Sequence, residues 1–169
     1  MFTRRILCSM PVLMLAGLNN ARANGLGSPQ HKPILHISGK ITTFNQGAEA
    51  VFDLPMLQAL GSQTMRTRTP WYNGPVVFQG VLMRTLLQTV GAYGDSLMVT
   101  ALNDYSCQIP TQDFSRFPVL LAYERDGHPM PISDKGPLFI IYPFDSDPEL
   151  QSQKYYSRSA WQVARIQVL

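Results

Sequence analysis

The chain has 169 residues, of which 45% are hydrophobic and 15% are charged, and its formal net charge is +3. Arg4, Arg5 and Arg22 account for this excess, because the other 11 basic residues balance the 11 acidic ones. A near-neutral chain gives no support for binding to nucleic acid or to an anionic membrane surface. The length suits one domain with an adequate hydrophobic core.

The first 23 residues have the features of a secretory signal peptide. Two arginines precede an apolar run from Ile6 to Leu18, and Ala21-Arg22-Ala23 fits the cleavage pattern of small residues. The run is shorter than the roughly 20 residues that a membrane-spanning helix needs. We therefore expect residues 1–23 to be removed, and the mature chain to be exported without a membrane span.

The cysteines and histidines argue against a metal centre. Cys8 lies in the predicted signal peptide, so Cys107 is the only cysteine of the mature chain, which leaves no internal disulfide and no thiolate cluster. His31, His36 and His128 lack the spacing of metal ligands. Cys107 is interpreted as a small buried hydrophobic residue, with a nucleophile as the alternative.

A flexible leader and a single domain are predicted after the signal peptide. Residues 24–33 are polar and contain glycine and proline, which indicates the leader, and the domain occupies residues 34–169. In its first half, alternating or β-rich runs predict strands at 34–41, 64–69 and 76–78. Asp53 is predicted to cap a helix through Leu60, and a second helix spans 81–90, with Gly91 as its stop.

The second half of the domain is dominated by short strands. They are predicted at 97–102, 105–109, 119–123, 138–142 and 161–169, with a polar excursion at 145–154. The dipeptide Asn103-Asp104 tolerates tight-turn geometry and joins the first two of these strands. Many strands and few short helices indicate an α+β domain with a mixed sheet.

The ordered motifs resemble the molybdopterin-binding oxidoreductase domain, which has the sulfite-oxidase fold. The segments that carry the resemblance are "ISGKI", "FDLPMLQAL", "FQGVLMRTLLQTVGA", "VTALNDYSCQIP", "LLAYERDGHPMPISDKGPLFIIYP" and "WQVARIQV". The resemblance covers about residues 34–169, nearly all of the mature chain. It implies the sulfite-oxidase fold and a relation to molybdopterin-dependent oxidoreductases.

One departure from that family concerns the metal. In its enzymes, a cysteine in the loop before the "FQGV" segment supplies a thiolate to molybdenum. The corresponding loop here is "RTPWYNGP", which has no cysteine, and Cys107 lies elsewhere. The resemblance therefore disfavours a molybdenum cofactor and favours a binding protein over an enzyme. A molybdopterin-dependent oxidoreductase, or a subunit of one, is the alternative.

A smaller group of short exported proteins gives a closer resemblance. Their motifs are similar to "TPW", "NDY", "GPLFIIYP" and "YYSRSAWQ". For this group the resemblance implies a reduced pterin as ligand, bound in the periplasm. It also implies a partner, the periplasmic region of a membrane-bound enzyme that makes or degrades cyclic di-GMP. A scaffold that binds no small molecule is a third possibility.

A pterin is flat, and its guanine-like edge presents an amino donor, an N–H donor and a carbonyl acceptor. Aromatic faces and a carboxylate would bind it. Asp104 is the candidate carboxylate, and Arg158 is a candidate donor to the carbonyl or a partner of Asp104. The other candidate ligand-binding residues are Trp71, Tyr72, Asn103, Tyr105, Tyr156 and Ser157. Packing or turn formation is the alternative role for each of them, and Trp161 is interpreted as core.

Overall fold

Ten strands and four short helices form the domain in the computed structural model, which describes residues 25–169; the predicted signal peptide lies outside these residues. The strands are β1 Leu35–Gly39, β2 Ala50–Phe52, β3 Gln63–Arg68, β4 Pro75–Leu82, β5 Ser96–Ala101, β6 Ser106–Pro110, β7 Leu120–Arg125, β8 His128–Pro129, β9 Phe139–Ile141 and β10 Val163–Val168. The helices are α1 Leu54–Ala59, α2 Met83–Thr89, α3 Gln112–Arg116 and α4 Gln153–Arg158. None of the helices within the described range is long and apolar enough to span a bilayer.

The strands are arranged in two sheets. The first has the order β2-β1-β10-β5-β6, and only β1 and β10 pair in parallel, with Ile37 opposite Ile166. The second has the order β3-β4-β7-β8, with β9 also paired to β7, and it is antiparallel throughout. One mixed sheet, one antiparallel sheet and peripheral helices confirm the predicted α+β class.

Two apolar clusters hold the sheets and helices together. The larger one joins the first sheet to α1, α2 and α4, and includes the fully buried Phe52, Leu86 and Val99. The smaller one lies on the second sheet around Phe78. Trp71, in the loop between β3 and β4, packs against both clusters. This loop therefore lies where the two halves of the core meet.

Asp53 links the leader to the domain. Its Oδ1 accepts the backbone N–H of Met56 and caps α1, as predicted, while Oδ2 accepts the backbone N–H groups of Gln30 and His31 at 2.8 and 2.9 Å. Burial opposes the charge on Asp53, but these three hydrogen bonds hold its pKa below the usual value. Residues 25–33 are thus irregular but attached to the domain, unlike the flexible leader that their composition indicates.

The largest differences from the predicted elements concern α2 and α4. Val81 and Leu82 continue β4, so α2 begins at Met83 rather than at Val81. Their apolar spacing fits a helix, but the pairing of Val81 with Leu121 extends the strand through them. Helix α4 begins inside the predicted polar excursion, and its only buried residue is Tyr155, which leaves no helical apolar pattern to detect.

Candidate ligand-binding site

A cavity of about 330 Å³ opens where three segments of the chain meet. The segments are the β3–β4 loop, the β5–β6 turn, and α4 with its link to β10. The volume lies at the lower end of the range for small-molecule pockets in proteins. The lining residues are Pro70, Trp71, Asn103, Tyr105, Gln153, Tyr156, Ser157, Ser159, Ala160 and Trp161.

Aromatic rings form the inner wall of the cavity. The Trp71 ring centroid lies 5.8 Å from that of Trp161 and 6.1 Å from that of Tyr156, and both pairs meet edge to face. Behind Trp71, Phe139 and Phe144 lie at centroid distances of 5.3 and 6.0 Å. Rings packed at these distances and angles stabilise one another. Trp71 is therefore a fixed part of the wall.

The β5–β6 turn forms the rim and is bonded to α4. The Tyr105 hydroxyl donates to the backbone carbonyl of Ser157 at 2.8 Å. The Asn103 side-chain oxygen accepts the backbone N–H of Tyr105 at 3.2 Å. Within residues 25–169, the amide nitrogen of Asn103 and the whole side-chain amide of Gln153 make no hydrogen bond. These amides are available to a ligand.

The cavity lining is electrically neutral. None of its residues in the described part of the chain carries a charged side chain. Asp104 lies at the tip of the β5–β6 turn with a left-handed φ of 63° and is exposed, outside the lining although Asn103 and Tyr105 on either side belong to it. The Asp104 side chain is therefore not part of the cavity wall, although both of its neighbours in sequence are.

Tyr72 belongs to a different cluster although it follows Trp71 directly. Its hydroxyl donates to Asp134 at 3.3 Å, and the Arg125 guanidinium and the Lys135 ammonium lie 4.5 and 4.7 Å from its ring centroid. Burial, chiefly, raises the pKa of Tyr72 above its usual value. Tyr72 therefore does not line the cavity, and its ring is held between two cations.

Arg158, the last residue of α4, is paired with a buried carboxylate. Its guanidinium donates to Asp113 Oδ2 at 2.8 Å, and the two side chains are 17% and 6% exposed. Tyr142 donates to the same oxygen at 2.8 Å, and burial together with the Asp113 charge raises the pKa of Tyr142. The suggested pairing of Arg158 with Asp104 is wrong, because Asp113 is its partner, and Arg158 does not line the cavity.

Several lining residues were not predicted. Gln153 and Ala160 lie in or beside α4, a helix that the sequence pattern does not reveal. Trp161 was interpreted as core, yet its half-buried ring both packs and lines the cavity. The aromatic and polar motif "YYSRSAW" was the available signal for this segment. Its members divide between the cavity and the interior according to helical geometry.

The one thiol of the described residues is poorly suited to metal ligation. Cys107 is half-buried on β6, and its Sγ lies 4.0 Å from the backbone carbonyl of Arg158. Burial raises the pKa of the thiol to about 11, which keeps it neutral near pH 7. No group of three His, Cys, Asp or Glu side chains in residues 25–169 is placed to hold a metal ion. Cys107 also lies outside the cavity lining.

Ten strands in two sheets and four short helices define an α+β domain with an aromatic, neutral cavity where three segments of the chain meet. More specifically, the chain belongs to the family of the oxidoreductase molybdopterin binding domain, whose family model matches residues 56–145. The matched segment includes Trp71, Asn103 and Tyr105, whereas α4 and Trp161 lie beyond it. No curated protein matches the sequence.

Among solved structures, the chain is similar to the sulfane dehydrogenase SoxCD from Paracoccus pantotrophus. The match has a TM-score of 0.56 and 15% sequence identity, and it covers 79% of this chain. It covers 37% of the SoxCD chain, so this protein corresponds to little more than a third of that structure. At this level of identity the likeness shows the sulfite-oxidase-like fold alone.

Proposed function

We propose that the protein binds a reduced pterin in the periplasm and acts as a ligand sensor rather than as an enzyme. The observation that carries the proposal is the neutral, aromatic-walled cavity built around Trp71. Trp71 lies in the loop where enzymes of the resembling fold carry their molybdenum-binding cysteine. A flat heterocycle fits such a cavity, because stacking on an aromatic ring contributes about 1–3 kcal/mol for a base-like ring.

Polar groups around the cavity match the edge of a pterin. The free amides of Asn103 and Gln153 offer donors and an acceptor for its carbonyl and amino groups. Asp104, on the β5–β6 turn, is the carboxylate that we expect to accept hydrogen bonds from the guanine-like edge. Such a contact favours a pterin over a ring with a different edge, because the wrong edge leaves polar groups unpaired.

The lining residues fit a thiolate-bound molybdenum cofactor poorly. They offer no thiolate for the metal, and they offer no cationic side chain for the phosphate of molybdopterin. Cys107 is a neutral thiol outside the lining. A molybdopterin-dependent oxidoreductase, or a subunit of one, is the second candidate, and family membership is the observation that favours it.

The proposed sensor reports ligand occupancy to the periplasmic region of a membrane-bound cyclic di-GMP cyclase or phosphodiesterase. The signal-peptide pattern of residues 1–23 supports export, and the "TPW", "NDY" and "YYSRSAWQ" motifs support the sensor group. All three motifs supply residues of the cavity lining, from the β3–β4 loop, the β5–β6 turn, and α4 with its link to β10. Deleting the gene in the native host should change cellular cyclic di-GMP, and the Trp71→Ala allele should fail to restore it.

Two measurements on wild-type protein test the ligand. Anaerobic calorimetric titration with tetrahydrobiopterin should show one saturable site, and protein purified from the native host should contain no stoichiometric molybdenum. Stoichiometric molybdenum would instead assign the chain to the oxidoreductases. Absence of both the metal and pterin binding would favour a scaffold.

A further inference from the structure

A second, apolar groove lies beside the cavity. Its volume is about 450 Å³, and apolar side chains from four parts of the chain line most of it. They include Leu102 on the β5–β6 turn, Ile132 and Pro137 in the β8–β9 connection, and Ala164 on β10. The groove therefore lies on the outer side of the first sheet, next to the turn that forms the rim of the cavity.

Two large apolar side chains in this groove are exposed. Leu102 is 51% exposed and Ile132 is 54% exposed, and they are among the five most exposed large hydrophobic residues of the described chain. A single exposed leucine needs no explanation, but exposed apolar residues that converge on one concave surface indicate an interaction site.

The charges on the groove are positive. Lys32 and Arg165 line it, and neither forms an ion pair within residues 25–169. His36 also lines the groove, and its Nδ1 lies 2.9 Å from Glu49 Oε2. No acidic residue of the described chain belongs to the lining. An occupant with carboxylates next to apolar side chains would complement this surface.

Short hydrogen bonds connect the groove to the cavity. The backbone N–H of Leu102 donates to the Gln162 carbonyl at 2.9 Å, and the Gln162 side-chain amide donates to the Ile132 carbonyl at 2.7 Å. Leu102 is followed in sequence by Asn103, and Gln162 is preceded by Trp161. Asn103 and Trp161 both line the cavity. One pair of backbone segments is therefore a wall of both the cavity and the groove.

From this arrangement we infer that the groove is the docking surface for an apolar, carboxylate-bearing segment of a protein partner. The shared wall lets a partner in the groove respond to a ligand in the cavity, because both contact the same two segments. The identity of the partner, a membrane-bound cyclic di-GMP enzyme, rests on the proposed function. The groove itself is argued from its shape, exposure and charge.

Charge and apolar substitutions in the groove test the inference. The probes are the purified periplasmic regions of the native host's membrane-bound cyclic di-GMP enzymes, and binding to the full mature protein is measured by biolayer interferometry. Ile132→Glu and Arg165→Glu should each weaken binding to one such region at least tenfold. Phe44→Glu is the matched control, because Phe44 is 53% exposed and lies outside the groove, and it should leave binding unchanged.

Tetrahydrobiopterin titration of the same variants separates this inference from the proposed ligand. We expect Ile132→Glu to bind the pterin with wild-type affinity. If the protein binds no pterin but its binding to the partner still depends on Ile132, the proposed ligand is refuted and the docking surface is supported. The docking inference would be overturned if both groove variants bound the partner as wild-type protein does. It would also be overturned if wild-type protein bound none of the periplasmic regions. If wild-type protein self-associates and Ile132→Glu abolishes this association, the groove binds a second copy of the chain, and the docking inference is overturned in this case too.

Discussion

The wall of the cavity and the ionic clusters outside its lining differ in charge. The side chains that face the cavity are aromatic or neutral and polar. Outside the lining, Tyr72 lies against Arg125 and Arg158 pairs with Asp113. Trp71 and Tyr72 are adjacent in sequence, and so are Ser157 and Arg158, yet each pair divides between the wall and the clusters outside it. The charged pairs hold the surrounding frame, and the neutral side chains face the cavity.

This division has a physical reason. A charge in the wall would lose hydration once a ligand covered it, whereas a charge paired outside the lining keeps a partner and fixes the backbone. In the proposed pterin complex, ring faces and amides of the wall contact the ligand, and Asp104 on the β5–β6 turn is the carboxylate that we expect to join them. Substitutions in the wall should change affinity, and substitutions in the clusters outside it should change stability.

The largest effect is expected from breaking the ion pair between Arg158 and Asp113. Arg158→Met leaves the Asp113 carboxylate buried without its cation and should lower the free energy of unfolding by about 3–5 kcal/mol. Urea denaturation measures this change. Adding Asp113→Asn should restore part of the stability, because the unpaired charge is removed. The exposed Arg165→Met is the control, expected within about 0.5 kcal/mol of wild type.

Replacing Trp71 tests the cavity wall. Trp71→Ala removes the central ring of the wall and should weaken tetrahydrobiopterin binding about tenfold to a hundredfold, equivalent to about 1–3 kcal/mol of stacking. Tyr72→Phe keeps the neighbouring ring, removes only the hydroxyl bonded to Asp134, and should leave affinity unchanged. Calorimetric titration of both proteins measures the difference. Equal losses in the two variants would contradict the division between the wall and the clusters outside it.

Asp104 is the carboxylate of the β5–β6 turn, between two residues that line the cavity. Asp104→Asn keeps a residue that tolerates the left-handed backbone and removes the charge. We expect tetrahydrobiopterin to bind about tenfold more weakly, the equivalent of about 1.4 kcal/mol for a lost charged contact. Asp126→Asn, at another left-handed turn position with φ 49°, is the matched control. An affinity equal to wild type would place Asp104 outside the site.

The smallest effect concerns acid stability. The Arg116 guanidinium, then the Tyr155 hydroxyl, lower the pKa of Glu149 to about 2. A carboxylate with a depressed pKa stabilises the folded state above its ordinary pKa, and this contribution is lost as the pH falls towards about 2. The melting temperature of wild-type protein should therefore fall more steeply below about pH 4.5 than that of Glu149→Gln. If the melting temperatures of the two proteins fell equally as the pH was lowered, Glu149 would contribute nothing to the pH dependence of stability.

The strands were largely predictable from the sequence, but the ends of some elements were not. Asp53, Gly91 and the Asn103-Asp104 turn have local signatures, and the structure has them as predicted. The start of α2 was misplaced, because pairing with β7 outweighs a helical apolar pattern at Val81. Helix α4 escaped detection because its six residues bury only Tyr155.

The cavity-lining residues were predictable in the motifs that lie on turns and less predictable in the motif that forms α4. Trp71, Asn103, Tyr105, Tyr156 and Ser157 were all named from the sequence, and the structure brings them together around one cavity. In an unpredicted helix, the direction of each side chain could not be assigned, so Arg158 was placed in the cavity and Gln153 was missed. Tyr72 was misplaced for a similar reason, since a loop does not fix which way adjacent rings point. Whether these residues contact a ligand stays a prediction.

The positions of the two indole rings have an optical consequence. The chain has two tryptophans, Trp71 and Trp161, and both line the cavity with their centroids 5.8 Å apart. Their strong far-ultraviolet transitions should couple at this distance and give two circular dichroism bands of opposite sign. The entire indole signal of the protein then originates at a single location. Any change in the relative orientation of the two rings would be visible without an added label.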